Sequence, residues 1–184
     1  IMNDSSNDSL AAFLKVNVLG TERLARMIIK AGVKKFIFVS SVKVNGEGSP
    51  FSYTENDVPA PQDFYGISKY EAELALAGLA VETGLQTVIL RLPLVYGPGV
   101  RANFKDLIKI VDSGLPLPLK EIRNCRSYIY LGNLVDAIAT CVTHPLAAGE
   151  TFMVSDGQDV STPDLVRIIA YVMSKKSVLF SMPP

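Results

Sequence analysis

The sequence predicts an α/β fold, a parallel sheet with helices on both faces. Three observations predict it. Short apolar runs rich in β-branched residues, at 35–40 and 87–92, read as buried strands. Segments of helical period stand before, between and after them. Glycines and an early proline mark the ends of those segments.

Residues 10–31 read as a helix, because Phe13, Val16, Leu24, Met27 and Ile28 recur at helical spacing and Gly32 ends it. The strand at 35–40 follows. Residues 42–63 form a loop rich in Gly, Ser, Pro and Asn. Loops of that length are usually functional, and this one is expected to border a substrate cleft. A helix is expected over 65–82, closed by Gly84, and then the strand at 87–92. Helices are expected at 104–112 and 133–142, with a short strand at 151–154. Ser161-Thr162-Pro163-Asp164 opens the last helix with a cap and an early proline. No internal repeat and no low-complexity tract interrupts this order.

Composition fits an enzyme core. Of the 184 residues, 48% are hydrophobic and 20% charged, and the formal net charge is zero. That balance argues against nucleic acid or an anionic membrane as the main partner. No run of eighteen apolar residues is present, so no membrane span is expected. Cys125 and Cys141 lack metal-type or redox spacing, and no metal site is expected. Two cysteines in such a chain suit a reducing, cytoplasmic compartment. Cys141 reads as packing and His144 as a helix-end or surface residue.

The chemistry is concentrated in one constellation. Ser40-Ser41 ends the apolar run Phe36-Ile37-Phe38-Val39, and Tyr65-Gly66-Ile67-Ser68-Lys69 lies 24 residues after Ser41. A tyrosine and a lysine four apart share one helix face. The ammonium favours the phenolate, so it lowers the tyrosine pKa. A hydroxyl at the adjacent strand end then binds a substrate oxygen while the tyrosine moves its proton. Such a trio suits an alcohol that becomes a ketone, which needs a hydride acceptor, usually a nicotinamide. Spacing alone is weak: Tyr171 and Lys175 are also four apart. No serine-bearing strand precedes that pair, and Tyr171 reads as packing in an amphipathic helix with Leu165, Ile168, Ile169 and Val172.

With Ser40-Ser41 and Tyr65–Lys69 in view, the chain resembles the extended short-chain dehydrogenase/reductase family, in its nucleotide-sugar epimerase and dehydratase branch. Further segments fit in the same order. Asn17-Val18-Leu19-Gly20-Thr21 is similar to the family's Asn-x-x-Gly-Thr. Ser40-Ser41-Val42-Lys43-Val44-Asn45-Gly46 resembles its Ser-Ser-x-x-Val-Tyr-Gly, with Asn45 in place of tyrosine. Arg91-Leu92-Pro93-Leu94-Val95-Tyr96-Gly97-Pro98-Gly99 resembles the segment after the next strand. Arg126-Ser127-Tyr128-Ile129-Tyr130 and Asn133-Leu134-Val135-Asp136-Ala137 resemble Arg-Asp-Tyr-Ile-His-Val and the Asp-Leu-Ala motif after it. The likeness runs from about residue 12 to 170.

The resemblance implies a Rossmann-like, doubly wound parallel sheet with part of a smaller substrate lobe, and NAD as cofactor, with NADP possible. Tyr65 is then the base, as phenolate, and later the acid. Lys69 lowers its pKa and hydrogen-bonds the nicotinamide ribose. Ser41 binds the sugar C4 oxygen, with Ser40 beside it on the cofactor side. Pro93 brings backbone next to the nicotinamide, or simply stops a strand. Asn103 and Arg126 match positions that hold the nucleotide diphosphate; a turn and a surface ion pair are the structural alternatives. Arginine suits a bidentate grip on phosphate. Asn17 either orders the site or starts a helix.

Departures from the pattern choose among branches. Sugar 4,6-dehydratases carry Asp-Glu after the active-site hydroxyl; here Val42 and Lys43 stand there and cannot do that acid–base work. Leu94 replaces a sugar-contacting asparagine and Ser127 an aspartate. The expected function is an NAD-dependent 4-epimerase of a UDP-hexose or UDP-N-acetylhexosamine, resembling enzymes of bacterial polysaccharide clusters. An NAD(P)H-dependent reductase of a 4-keto nucleotide sugar uses the same trio, and a catalytically silent cofactor-binding protein is a third reading. No Gly-x-x-Gly-x-x-Gly follows a strand in these residues. The chain is therefore expected to be the interior of a longer protein, inactive in isolation. Residues 1–100 are expected in the cofactor domain. Residues 101–184 are expected to mix substrate-lobe segments with the last strand and helix of that domain. By analogy with relatives, the helices at 10–31 and 65–82 are expected to build a homodimer.

Overall fold

The computed structural model describes residues 7–100 and 102–181. Among them a first helical stretch runs in three pieces: α1 (Asn7–Phe13), a π-helical segment (Leu14–Leu19) and α2 (Gly20–Lys30). The expected helix over 10–31 is present, but its middle is widened. A π segment shifts the backbone bonding to i→i+5, and such insertions gather at functional sites. Asn17 lies inside it, so it does not start a helix. Strand β1 (Lys35–Ser41) follows, then a 3-10 turn at Val42–Val44 and a loop to Asp63. Next come α3 (Phe64–Thr83), β2 (Gln86–Leu92), β3 (Leu94–Tyr96) and α4 (Ala102–Asp112). The chain continues with β4 (Tyr128–Tyr130), α5 (Leu131–Thr143), β5 (Thr151–Met153) and α6 (Thr162–Val172).

Two compact units result. The first holds the described residues up to Leu92 together with Val135–Val154; the second holds Pro93–Leu134 and the described residues from Ser155 on. In the first unit β1, β2 and β5 form a parallel sheet in the order β1-β2-β5. Ser40 and Ser41 lie opposite Arg91 and Leu92 in that register. Helix α3 is the crossover between β1 and β2, as a parallel pair requires. Its buried face carries Ala72, Leu76 and Leu79, which pack with Ala25, Phe38, Leu85 and Ile89 into one core. Gly84, at φ +73°, closes α3 by returning its N–H to the Ala80 carbonyl, a left-handed cap that glycine adopts without strain. The Lys35 ammonium donates to the carbonyls of Cys141, Val142 and His144, covering the C-terminal end of α5 where cations are favoured. Cys141 is buried, as expected.

In the second unit β3 and β4 pair in parallel as a separate two-stranded sheet. Neither strand was expected, since three residues carry no readable period. Helix α6 starts as the sequence predicts: the Ser161 hydroxyl accepts the Asp164 N–H at 3.1 Å, with proline in the first turn. It packs Val166, Ile169 and Ala170 against Val111. Tyr171 does not pack; it is 84% exposed. The buried stripe of α6 runs through Val166, Ile169 and Ala170, and Tyr171 stands off it. Lys175 instead donates to the carbonyl and carboxylate of Asp112.

Candidate active site at the β1 and α3 junction

Strand β1 delivers Ser40 and Ser41 at its C-terminal end, and α3 begins beside them. Asp63 caps α3: its backbone is extended and its carboxylate accepts the Gly66 N–H at 2.6 Å. The first two turns of α3 then present Tyr65 and Lys69. Gly66 makes the approach possible. A Cβ there would lie 2.7 Å from the Lys43 carbonyl oxygen, so only glycine lets the helix settle on the end of the strand.

Alternation along a strand sends the two serines to different places. Ser40 is 3% exposed, and its hydroxyl donates to Glu73 within the core. Engaged there, it has no free hydroxyl proton for the cofactor contact expected of it. Ser41 takes the other direction. Its hydroxyl accepts the Lys43 N–H at 3.3 Å and lies close enough to the Tyr65 phenol to pull its pKa down. The expected pair, Ser41 and Tyr65, is thus brought to one place.

The half-buried Tyr65 ring meets the edge of Phe13, centroids 6.1 Å apart. Burial pushes its phenol above the ordinary tyrosine value. The Ser41 hydroxyl pulls it down, the Asp63 charge pushes it up, and the Lys43 charge pulls it down, leaving it raised overall. Lys69 donates to the Val39 carbonyl at 2.8 Å. Its ammonium lies 4.6 Å from the Phe38 ring centroid and 5.9 Å from that of Tyr65. Burial lowers the Lys69 pKa and the Glu73 charge opposes that. The Lys43 charge thus favours the phenolate, while the Lys69 ammonium lies over the ring.

Beneath the pair lies a buried ion pair. Arg91 donates to Glu73, with Nη2 to Oε2 at 2.7 Å, and also reaches the Asn45 side-chain oxygen at 3.2 Å. Asn45 in turn donates to the Thr54 carbonyl at 3.0 Å. Glu73 therefore joins α3, β1 and β2, and Arg91 extends the network to the following loop. A second tie comes from the π segment. Asn17 donates to the Ser68 hydroxyl at 2.9 Å, and Ser68 donates to the Tyr65 carbonyl at 2.8 Å. Asn17 thus orders the helix that carries Tyr65. Sequence reasoning named neither Ser68 nor Glu73 as a site residue, since their partners Asn17, Ser40 and Arg91 lie far off in sequence.

The remaining candidates belong to the second unit. Pro93 is half-buried between β2 and β3. The backbone of Asn103 is in α4, and its side chain lies outside the described part of the structure. Arg126 bonds by backbone to Val160, and its exposed side chain makes no ion pair among the described residues. This unit also carries a cavity of about 460 Å³ lined by Tyr96, Phe104, Tyr128, Leu165, Ile169 and other mostly apolar side chains. At its rim Asp156 accepts from the Tyr130 N–H, the Asn133 amide and the Tyr96 hydroxyl. Desolvation works against ionisation of Asp156, but these donors prevail and hold its carboxyl below the usual value. Ser127, where the resemblance has an aspartate, donates to the Asp159 carboxylate at 2.6 Å.

One end of a parallel sheet thus brings together a strand-end serine and a tyrosine one turn from a lysine. The chain belongs to the NAD dependent epimerase/dehydratase family, whose model matches residues 3–155. It is similar to the UDP-glucose 4-epimerase of Vibrio cholerae, 46% identical over all of this chain and 57% of that protein. It is also similar to the N-acetyl-alpha-D-glucosaminyl-diphospho-ditrans,octacis-undecaprenol 4-epimerase of Escherichia coli O157:H7. That protein is 30% identical over 98% of this chain and 54% of its own length. Among solved structures, the UDP-glucose 4-epimerase of Thermotoga maritima, solved with UDP-glucose, superposes with a TM-score of 0.79. It is 27% identical over 95% of this chain and 59% of its own. MoeE5, solved with UDP-glucose and NAD, gives a TM-score of 0.78 at 26% identity, over 91% of this chain and 58% of its own. The fold is thus Rossmann-like, and the chain spans little more than half the length of these relatives.

The residues present fit the nicotinamide end of NAD. Lys69 has three N–H donors and gives one to Val39, which leaves donors for ribose hydroxyls beside Tyr65. Among the described residues no helix is long and apolar enough to cross a membrane.

Proposed function

We propose that the complete protein is an NAD-dependent 4-epimerase of a UDP-hexose or UDP-N-acetylhexosamine. The observation that carries the reading is the placement of Ser41 beside Tyr65, with Lys69 anchored on the Val39 carbonyl next to them. NAD supplies hydride acceptance from the sugar C4 carbon and its return. Tyr65, as phenolate, takes the proton of the C4 hydroxyl. Ser41 holds the same oxygen by a hydrogen bond, so that a 4-keto sugar can form and stay oriented. Lys69 fixes the cofactor ribose against Tyr65. On the return step Tyr65 gives the proton back, and the C4 centre has inverted when the sugar has presented its other face. Arg126 and Asn103 are assigned to the nucleotide diphosphate.

The absence of carboxylates at Val42 and Lys43 supports epimerisation over dehydration. The similarity to two 4-epimerases across nearly the whole chain supports it further. The test uses the complete gene product, incubated with UDP-N-acetylglucosamine and UDP-glucose without added reductant and followed by proton NMR. The galacto isomer should appear with no net change in NADH absorbance. No conversion of either sugar, with reduction of a 4-keto nucleotide sugar by NAD(P)H, would establish the reductase instead.

A further inference from the structure

Lys43 has no part in the chemistry just described, yet it touches Ser41 and the first turn of the helix that carries Tyr65. Its backbone N–H donates to the Ser41 hydroxyl oxygen at 3.3 Å. Its carbonyl lies against Gly66, in the first turn of α3. Its ammonium bonds Asp63 at 2.5 Å and Glu47 at 2.8 Å. Asp63 is the residue that caps α3, two positions before Tyr65. One side chain therefore joins the serine strand end to the cap of the tyrosine helix.

We propose that Lys43 and Asp63 form a charged clamp that positions Tyr65 against Ser41 and sets the ease with which the phenol yields its proton. The role rests on the epimerase reading of this site. Lys43 and Asp63 push the phenol in opposite directions, as cation and anion must. The groups facing Tyr65 are Ser41 and Lys43 from the strand end, Asp63 from the helix cap and Lys69 over the ring. From α1, among the described residues, comes the uncharged Phe13. Glu47 acts on Lys43 and so tempers the cation. Lys43 and Asp63 are each about one-third exposed, 31% and 38%, so salt screens part of the effect. Lys43 is a positioning residue here, with no contact to the sugar implied.

The test is the pH dependence of kcat for the complete gene product carrying Lys43→Met, Lys43→Arg or Asp63→Asn. Phenolate is the working base, so kcat rises with pH through the Tyr65 pKa. Lys43→Met should move that limb to higher pH and lower kcat at neutral pH. Lys43→Arg should restore both. Asp63→Asn keeps a capping side chain and removes the anion, so the limb should move to lower pH. It reads the sign of the effect even where Lys43→Met does not fold. A merely structural clamp would give losses that are equal at every pH and limbs that stay in place, and that result would overturn the proposal. If the wild type epimerises no nucleotide sugar, the epimerase reading fails instead. The clamp is then read from the ultraviolet phenolate titration of each variant, with a Tyr65→Phe difference. Opposite shifts would uphold it and coincident titrations would reject it.

Discussion

Three side chains carry the proposed chemistry, and they differ from their surroundings in how far the sequence reveals them. Ser41, Tyr65 and Lys69 were legible because two local rules locate them: a strand's end and one turn of a helix. Their setting was not. Lys43, Asp63, Glu73 and Asn17 act across sequence gaps of 51, 33 and 20 residues in the bonds Asn17–Ser68, Ser40–Glu73 and Lys43–Asp63, and spacing carries no trace of such contacts. Nor does spacing report burial, which is why the phenol lies above its ordinary value although a lysine stands four residues on. Tyr65→Phe tests the central assignment. It keeps the ring and its edge contact with Phe13 while removing the oxygen. The complete protein should lose about 10²- to 10⁴-fold in kcat, the usual range for a proton-transfer group. Its content of bound NAD should not change. A variant with unchanged turnover would leave the silent cofactor-binding reading as the better one.

At the scale of elements, the order of strands and long helices was readable from periodicity, and the short strands β3 and β4 were not. The π segment escaped as well, since a widened turn keeps nearly the same apolar spacing. What fixes α3 against the sheet is the buried network around Glu73. Glu73 and Arg91 are 8% and 5% exposed. Breaking such a pair from one side leaves an uncompensated charge, at a cost of about 3–5 kcal/mol. Glu73→Leu should therefore lower stability by that order, read from the urea midpoint. Adding Arg91→Met should recover a large part of it, because the stranded charge is then gone. A double variant no more stable than the single one would show that the network matters through Asn45 and Ser40 rather than through the ion pair. Gly66→Ala is the matching test of the helix–strand approach. The new methyl group meets backbone, not a flexible side chain, so α3 must shift. About 1–3 kcal/mol of stability should go, as for overpacking generally. Turnover should fall further than for the same loss of stability elsewhere, because the shift separates Tyr65 from Ser41.

The whole protein is reached through the surfaces that the first unit leaves uncovered. Val16, Leu24 and Met27 recur at helical spacing along the π segment and α2, at 69%, 51% and 68% exposure. On α3, Leu74 and Val81 stand seven apart on one face, and Val81 is 91% exposed. Between them, Ala77 and Gly78 are small and exposed, which lets another helix come close. Isolated exposed apolar side chains are ordinary, but aligned rows on two long helices are the mark of a covered face. We propose that α2 and α3 pair with the same helices of a second copy, burying these rows in a four-helix contact. Self-pairing is the economical arrangement, since a two-fold axis uses one patch twice. The complete protein should then sediment at twice its chain mass. Val81→Glu, which places a charge in the α3 row, should yield monomers that keep the fold, since Val81 is 91% exposed in its own chain. A monomeric wild type would reject the dimer. A Val81→Glu protein that remained dimeric would place the contact on another face.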